Sequence, residues 1–257
     1  MQVGLTRTRA IVLHSYRYSE TSKILKLMTA EMGPCTAMAK GALRPRSRFG
    51  SVLEPFTEGE ALLFVKEGRE MHTLSSFEPN VTRLGLARGS RSFVVAAALC
   101  ELVMRRAPEQ RDEHLFDALG RGLEALRGAE ERDELKSPAA GLEHVWSVLS
   151  VLGFGPDLRV CGSCGGSFRA GEGVRLDLAS GRASCPTCCS GRTNLSPAAF
   201  SELTRLLSGL PARTPAADGT HDEPKSGQHE RLLAAFARRH LPEGERLNSL
   251  EFLTSLN

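Results

Sequence analysis

The sequence lacks the long apolar segments that membrane proteins need. A membrane-spanning helix requires about 20 consecutive apolar residues. The most apolar stretch here, residues 93–104, is interrupted by Glu101 and followed by Arg105 and Arg106. The opening residues, MQVGLTRTRA, also lack the apolar centre of a signal peptide. We therefore expect a cytoplasmic protein with no membrane partner, whose thiols stay reduced.

The motifs of several common enzyme classes are missing. The chain has no GxxxxGK[ST] phosphate loop, no Rossmann glycine pattern, no HExxH and no deaminase pattern of HxE followed by PCxxC. Its seven histidines are scattered, and none lies between residues 145 and 220. These absences argue against nucleotide hydrolysis, dinucleotide chemistry and the common zinc hydrolases and deaminases. We expect a protein that is not an enzyme.

Negative charge is scarce near the start of the chain. The overall net charge is only +3, but residues 7–48 hold nine basic side chains against two acidic ones, Glu20 and Glu31. The positive field therefore belongs to the first fifty residues, and such a field attracts polyanions.

The first eighty residues read as short strands separated by turns. The predicted strands are Arg9–Arg17, Lys23–Thr29, Pro34–Lys40, Gly59–Lys66 and Met71–Phe77. Five strands without a long helix predict a small barrel, either an OB-fold or an SH3-like barrel. Strand spacing alone does not separate these two folds.

Beyond Pro79 the apolar residues recur at helical spacing. One helix is predicted through Phe93–Val103 and another through Leu115–Leu126, with the acidic run 130–134 as a loop. Ser137-Pro138 and Ser196-Pro197 each predict a capped helix start. A final helical segment is predicted at 232–241 and precedes a tail at 247–256, whereas the polar stretch 211–228 is predicted to be disordered. The fold class is α+β: a barrel domain at 1–80, a helical domain at 81–156 and 195–257, and a zinc-binding module inserted at 157–194.

The inserted module contains two CxxC pairs. Cys161 and Cys164 form the first pair, and Cys185 and Cys188 form the second, with twenty residues between them. Two such knuckles supply a tetrahedral thiolate site of the kind that holds structural Zn²⁺. Gly165 is expected to relieve strain where the chain turns after the first knuckle.

Other interpretations of the cysteines remain open. Disulfides are disfavoured by a reducing compartment, and a redox CxxC normally sits in a βαβ context that is absent. Catalytic zinc needs an open ligand position that the sequence does not provide. Cys189 is an alternative fourth ligand in place of Cys188. Cys35 and Cys100 have apolar neighbours and are expected to be buried rather than nucleophilic.

A basic loop follows the third predicted strand. Lys40, Arg44, Arg46 and Arg48 lie in or beside Gly41–Gly50. Such a loop on a small barrel suits contact with a nucleic-acid backbone, while aromatic rings stack on bases. The set is extended by the weaker candidates Lys23 and Lys26, by Arg7, Arg9 and Arg17, and by the possible stacking rings Tyr16, Tyr18 and Phe49. The alternative is a merely solvated basic surface.

Several stretches resemble the RecO family of bacterial recombination mediators. They are AIVLHSYRYSETSKILKLMTAE at 10–31, MAKGALRPRSRFGSVLEPFT at 38–57, the helical run 91–127 and LNSLEFL at 247–253. The second of these is the most specific, and the cysteine insert occurs in many members of the family. Only the stretch 211–228 has no counterpart.

The resemblance implies an N-terminal OB-fold, a helical domain and zinc as a scaffold element. It also implies binding to single- and double-stranded DNA, strand annealing, and a nucleoid-associated location. Partners implied are RecR, the acidic C-terminal tail of single-stranded DNA-binding protein (SSB), and RecA, which RecO-like proteins help to load. By motif position Lys40, Arg44, Arg46 and Arg48 inherit DNA binding. Two alternatives remain: a zinc-ribbon adaptor of RNA or transcription, and a scaffold whose basic loop binds a protein.

Overall fold

The computed structural model describes residues 3–66, 68–169, 171–212, 227–240 and 246–256. The first five strands are β1 (Val3–Arg17), β2 (Lys23–Thr29), β3 (Gly33–Ala39), β4 (Glu58–Lys66) and β5 (Met71–Val81). The helices are α1 (Ser90–Arg106), α2 (Glu113–Glu131), α3 (Leu142–Val151), α4 (Pro197–Leu207), α5 (Gln228–His240) and α6 (Asn248–Ser255). A small sheet is formed by β6 (Val174–Asp177), β7 (Arg182–Ser184) and β8 (Thr193–Leu195).

The first five strands close into a barrel with the order β1-β2-β3-β5-β4. Strands β3 and β5 pair in parallel, and the other neighbours are antiparallel. This is the OB-fold arrangement, so the expectation from the resemblance is confirmed and the SH3-like alternative is wrong. Alternate residues point inward and form the barrel's own core.

The barrel strands are longer than the sequence predicts at two places. Strand β1 begins at Val3 because residues 3–11 pair with β4, which lies more than forty residues away. Strand β5 runs on to Val81, with register shifts against β4. Local alternation gives no indication of either extension.

The helices share one apolar core with the small sheet and with one side of the barrel. Leu99 of α1, Trp146 of α3 and Leu176 of β6 belong to this core, as do Ile11 and Met28 from the barrel. Helix α1 packs against α2, α3 and α6 and is therefore central. The three parts of the chain are thus joined by continuous apolar packing.

The predicted cap at Ser196 is confirmed, since its Oγ accepts the amide of Ala199 at 3.2 Å. The predicted start at Ser137-Pro138 is wrong. Ser137 begins a turn in which its carbonyl accepts the amide of Ala140, and α3 starts only after Gly141, whose φ is +84°. The acidic run is also partly helical, because α2 continues to Glu131.

The remaining expectations concern the C-terminal stretch. Helix α5 confirms the predicted helical segment there, although Leu241 lies outside the described residues, and the stretch described as a tail contains helix α6. Most of the polar stretch 211–228 also lies outside them. Among the helices that the structure describes, none is long and apolar enough to cross a bilayer.

Candidate metal centre and nucleic-acid interface

The two CxxC pairs meet in space. The Sγ atoms of Cys161, Cys164, Cys185 and Cys188 all lie within 4.8 Å of one another. Four thiolates around a divalent ion at about 2.3 Å would place the sulfur atoms somewhat less than 4 Å apart. The cluster is therefore the right size to hold one metal ion.

The two knuckles have matching backbones. The amide of Gly165 donates to the carbonyl of Cys161 at 2.9 Å, and the amide of Cys189 donates to the carbonyl of Cys185 at 3.0 Å. Gly165 has φ +72° and Cys189 has φ +52°. Cys189 is thus the counterpart of Gly165, a turn residue. Its exposed thiol bonds to the Pro186 carbonyl and lies outside the four-sulfur cluster.

The surroundings of the sulfur atoms suit metal ligation. The amide of Cys185 points at the Cys161 sulfur at 3.4 Å, and with the amides of Cys164 and Ser163 it lowers the Cys161 pKa to about 6. Hydrogen bonds to the sulfur atoms of Cys185 and Cys164 raise the Cys188 pKa to about 12. Four crowded sulfur atoms cannot all ionise without a cation, and a bound divalent ion supplies that charge.

The two remaining cysteines lie elsewhere. Burial raises the pKa of both Cys35 and Cys100 to about 12. Both thiols therefore stay protonated at neutral pH, which agrees with the expectation that neither is a nucleophile.

The basic loop is anchored by its own apolar residues. Phe49 and Leu53 are each 2% exposed and belong to the barrel core, with Ala42 beside them. Phe49 was expected to stack on bases, and that prediction is wrong because its ring fills the barrel. Its burial holds the loop in place.

The cations of the loop point outward. Lys40, Arg44, Arg46 and Arg48 are all exposed, and no carboxylate within the described part of the chain pairs with them. The Arg48 guanidinium lies over the Phe49 ring at 5.0 Å. The loop therefore presents four uncompensated positive charges.

The other basic candidates differ from these four. Lys23 is largely covered and binds Glu54 at 2.8 Å, whereas Lys26 donates to Thr36 at 2.8 Å on the outer face of the barrel. Arg7 pairs with Glu60, and Arg9 lies over the Phe116 ring of α2. Lys26 is thus the one of these placed to supplement the loop.

Sequence reasoning did not anticipate how the turn between β1 and β2 joins this surface. The amide of Leu43, inside the basic loop, donates to the carbonyl of Thr21 at 2.9 Å. Exposed Tyr16 and Tyr18 lead into that turn, and His14 stacks near Tyr16 with ring centroids 5.8 Å apart. Rings and cations therefore share one side of the barrel.

Comparison with known proteins agrees with this architecture. Residues 1–82 match the N-terminal family of recombination protein O, and residues 91–251 match its C-terminal family. The chain belongs to the RecO family. Two relatives named DNA repair protein RecO come from Anaeromyxobacter sp. (strain K), 32% identical over 96% of this chain and 94% of the relative, and from Symbiobacterium thermophilum, 33% identical over 99% and 98%. A third, from Rubrobacter xylanophilus, is 31% identical over 93% and 94%.

In this RecO-family chain the short segment between the two matched regions contains a buried cation. Arg83 is 3% exposed and donates to the Phe56 carbonyl at 2.9 Å, to Glu58 at 2.8 Å and to Glu124 of α2 at 3.3 Å. It thereby ties the barrel to the helices. No local pattern in the sequence points to it, because its partners lie 25 to 41 residues away.

Proposed function

We propose that this chain is a DNA-repair mediator that binds DNA through the basic loop and catalyses no reaction. It holds single- and double-stranded DNA, anneals complementary strands, and acts with RecR to load RecA on DNA coated with SSB. Membership of the RecO family and the names of its relatives support this function. The corresponding location is the cytoplasm, at the nucleoid.

The observation that carries the proposal is the outward-facing cation set Lys40, Arg44, Arg46 and Arg48. Uncompensated guanidinium groups on a loop braced by a buried ring bind phosphates without reordering the loop, so little conformational entropy is lost. Lys26 and the rings of Tyr16 and Tyr18 extend the surface. Contact with the backbone leaves base edges free to pair, as annealing requires.

The metal in this proposal is a structural Zn²⁺ held by Cys161, Cys164, Cys185 and Cys188. When bound, the ion neutralises part of the thiolate charge and locks the two knuckles together. Because all four ligands are sulfur atoms, the ion has no open position for a substrate. The residues of this site therefore scaffold the fold and do not perform chemistry.

A groove between α5 and α6 suits the acidic C-terminal tail of SSB. Its floor includes buried Ala234, Leu247 and Leu250, and its rim carries exposed Arg238 together with Arg246 and Glu251, which pair at 3.9 Å. An apolar floor with cations beside it suits a short acidic peptide that ends in a carboxylate. We expect the Arg238→Glu/Arg246→Glu variant to lose binding of a fluorescent acidic peptide while keeping its affinity for DNA.

The DNA-binding claim is tested by fluorescence anisotropy with a labelled single strand of about 30 nucleotides. We expect Arg44→Gln/Arg46→Gln/Arg48→Gln to weaken binding at least tenfold. The matched control is Arg111→Gln/Arg127→Gln/Arg132→Gln, whose arginines pair with glutamates on the helical body, and it should stay within twofold. Equal affinity of the loop variant and the wild type would remove the proposed interface.

Annealing separates this function from that of a zinc-ribbon adaptor. Complementary oligonucleotides coated with SSB should pair faster when the wild-type protein is added, and the loop variant should give little acceleration. If the protein is an adaptor of RNA or transcription, the wild type should not accelerate annealing either.

A further inference from the structure

The solvent face of the β6–β7–β8 sheet carries a second group of cations. Strand β6 is central, and its Arg175 lies opposite Ser184 on β7 and Asn194 on β8. Opposed residues of antiparallel strands share a face, and alternate residues point to opposite faces. Val174 and Leu176 face the helical core, so Arg175 is exposed on the other side.

Two further arginines border Arg175. Arg182 lies on β7 opposite Asp177, and Arg192 directly precedes β8; both are exposed. The aliphatic stem of Arg182 lies against Gly162 of the first knuckle, where an added Cβ would approach it to 2.9 Å. We call Arg175, Arg182 and Arg192 the module arginines.

Carboxylates near the module arginines are already engaged. Asp177 accepts from the Ser180 hydroxyl at 2.8 Å and from the Ala179 amide at 3.1 Å. Asp157 accepts two bonds from Arg159, each at 3.0 Å; these bonds, and to a smaller extent the charge of Arg182, lower the pKa of Asp157, so Arg182 is partly compensated. Exposed Arg239, at the end of α5, also acts electrostatically on Asp177 and adds positive charge beside this face.

Three arginines of the helical body form ion pairs with glutamates. Arg111, Arg127 and Arg132 on or beside α2 each bind a glutamate at 2.9 Å or less. No such ion pair involves a module arginine within the described part of the chain. The basic loop of the barrel and the sheet of the cysteine module thus each carry a group of exposed arginines with no ion pair among the described residues, whereas Arg88 and Arg121 of the helical part are exposed singly.

We propose that the module arginines form a second nucleic-acid surface, which holds the phosphates of a second strand while the barrel holds the first. This inference rests on the proposed function, because annealing brings together two polyanions that repel each other. Two separate cationic surfaces on one molecule make the encounter of the strands intramolecular and raise their effective concentration. Exposed arginines beside exposed Asn194 contact backbones without selecting a sequence, whereas Ser184 on the same face is buried.

The competing role for these cations is to offset the charge of four metal-bound thiolates. Metal content separates the two roles, because a cation that only supports the metal site affects metal retention and not DNA. The test variant is Arg175→Gln/Arg192→Gln. Arg182 is kept because its stem packs on the first knuckle.

The test is a sandwich capture assay on full-length, metal-loaded protein. A biotinylated single strand is immobilised and saturated with protein, and a labelled strand without complementarity is then added. The wild type should capture the second strand. The variant should capture at least fivefold less, keep its metal, and hold the first strand within threefold of wild type. Salt dependence of the capture should flatten by about 1.4 units of log–log slope, roughly 0.7 for each lost cation.

Equal capture by the variant and the wild type overturns the inference, as does loss of metal together with capture. A wild type that binds the first strand but does not capture the second also overturns the inference. That result would leave the proposed function intact. If the basic-loop variant still holds the first strand, the proposed function is what fails. The Arg111→Gln/Arg127→Gln/Arg132→Gln control should capture like the wild type.

Discussion

At the scale of single residues, Cys189 has a backbone conformation that suits glycine. Its φ of +52° strains the backbone of a residue with a side chain by about 1–2 kcal/mol. Glycine avoids this strain, but it loses more conformational entropy on folding, which costs about 0.5–1 kcal/mol. We therefore predict that Cys189→Gly raises the free energy of unfolding by about 0.5 kcal/mol, measured by urea denaturation of the metal-loaded protein.

Two comparisons make that result specific. Gly165→Ala, at the matching turn, should destabilise the protein by about 1 kcal/mol. Metal content should be unchanged in Cys189→Gly and reduced in Cys188→Ser. Loss of metal from Cys189→Gly would instead make Cys189 a ligand.

His144 makes stability depend on pH. Burial lowers its pKa from 6.5 to about 4, so between these values the unfolded chain binds a proton that the folded chain does not. Its contribution is fully present above pH 6.5 and is lost as the pH falls toward 4, up to about 3 kcal/mol. We predict that His144→Gln flattens this decline in urea denaturation series. An unchanged slope would contradict the assignment.

At the scale of elements, helix α6 is held by a carboxylate from α1. Glu101 is 8% exposed, and its two oxygens accept the amides of Asn248 at 3.1 Å and Ser249 at 3.0 Å. These are amides of the first turn, which lack partners inside the helix. Glu101 therefore acts as the N-terminal cap of a helix almost 150 residues away.

We predict that Glu101→Ala lowers the free energy of unfolding by about 2 kcal/mol, because two amides lose a charged acceptor. Hydrogen exchange should rise first in α6. Glu131→Ala removes only an exposed ion pair with Arg127 and should cost less than about 0.5 kcal/mol. Equal losses in the two variants would show that the cap adds nothing.

Elements with a local pattern were predictable, and those set by distant contacts were not. The position of strand β2 follows from its short apolar run between two turns, and the cap of α4 follows from Ser196-Pro197. Phe49 was misassigned because an aromatic residue in a basic loop looks the same whether its ring faces solvent or fills a barrel. Glu101 and Arg83 were missed because a buried charge becomes recognisable only with its distant partners.

At the scale of the whole molecule, the metal centre is continuous with the main core. Val174, Leu176, Ala183 and Leu195 of the small sheet belong to the same apolar cluster as the helices. Loss of the metal should therefore destabilise the packing between the small sheet and the helices as well as the two knuckles. We predict one zinc ion per chain and a fall in Tm of at least 10 °C on chelation, measured by elemental analysis and calorimetry.

Cys161→Ser should reproduce the effect of chelation, whereas Cys35→Ser should keep the metal and most of the stability. Absence of zinc together with a harmless Cys161→Ser would end the structural-zinc proposal. Chelation should leave the barrel folded, since its core is formed by its own strands and loop.

The central claim is that positive charge on the basic loop grips sugar-phosphate backbones. The most direct measurement is the salt dependence of single-strand binding, compared between wild type and Arg44→Gln/Arg46→Gln/Arg48→Gln. We expect log affinity to fall with log salt at a slope near −3 for the wild type, if roughly four phosphates are neutralised, and to flatten by about 2 units in the variant. Equal slopes and equal affinities for the two proteins would contradict the account.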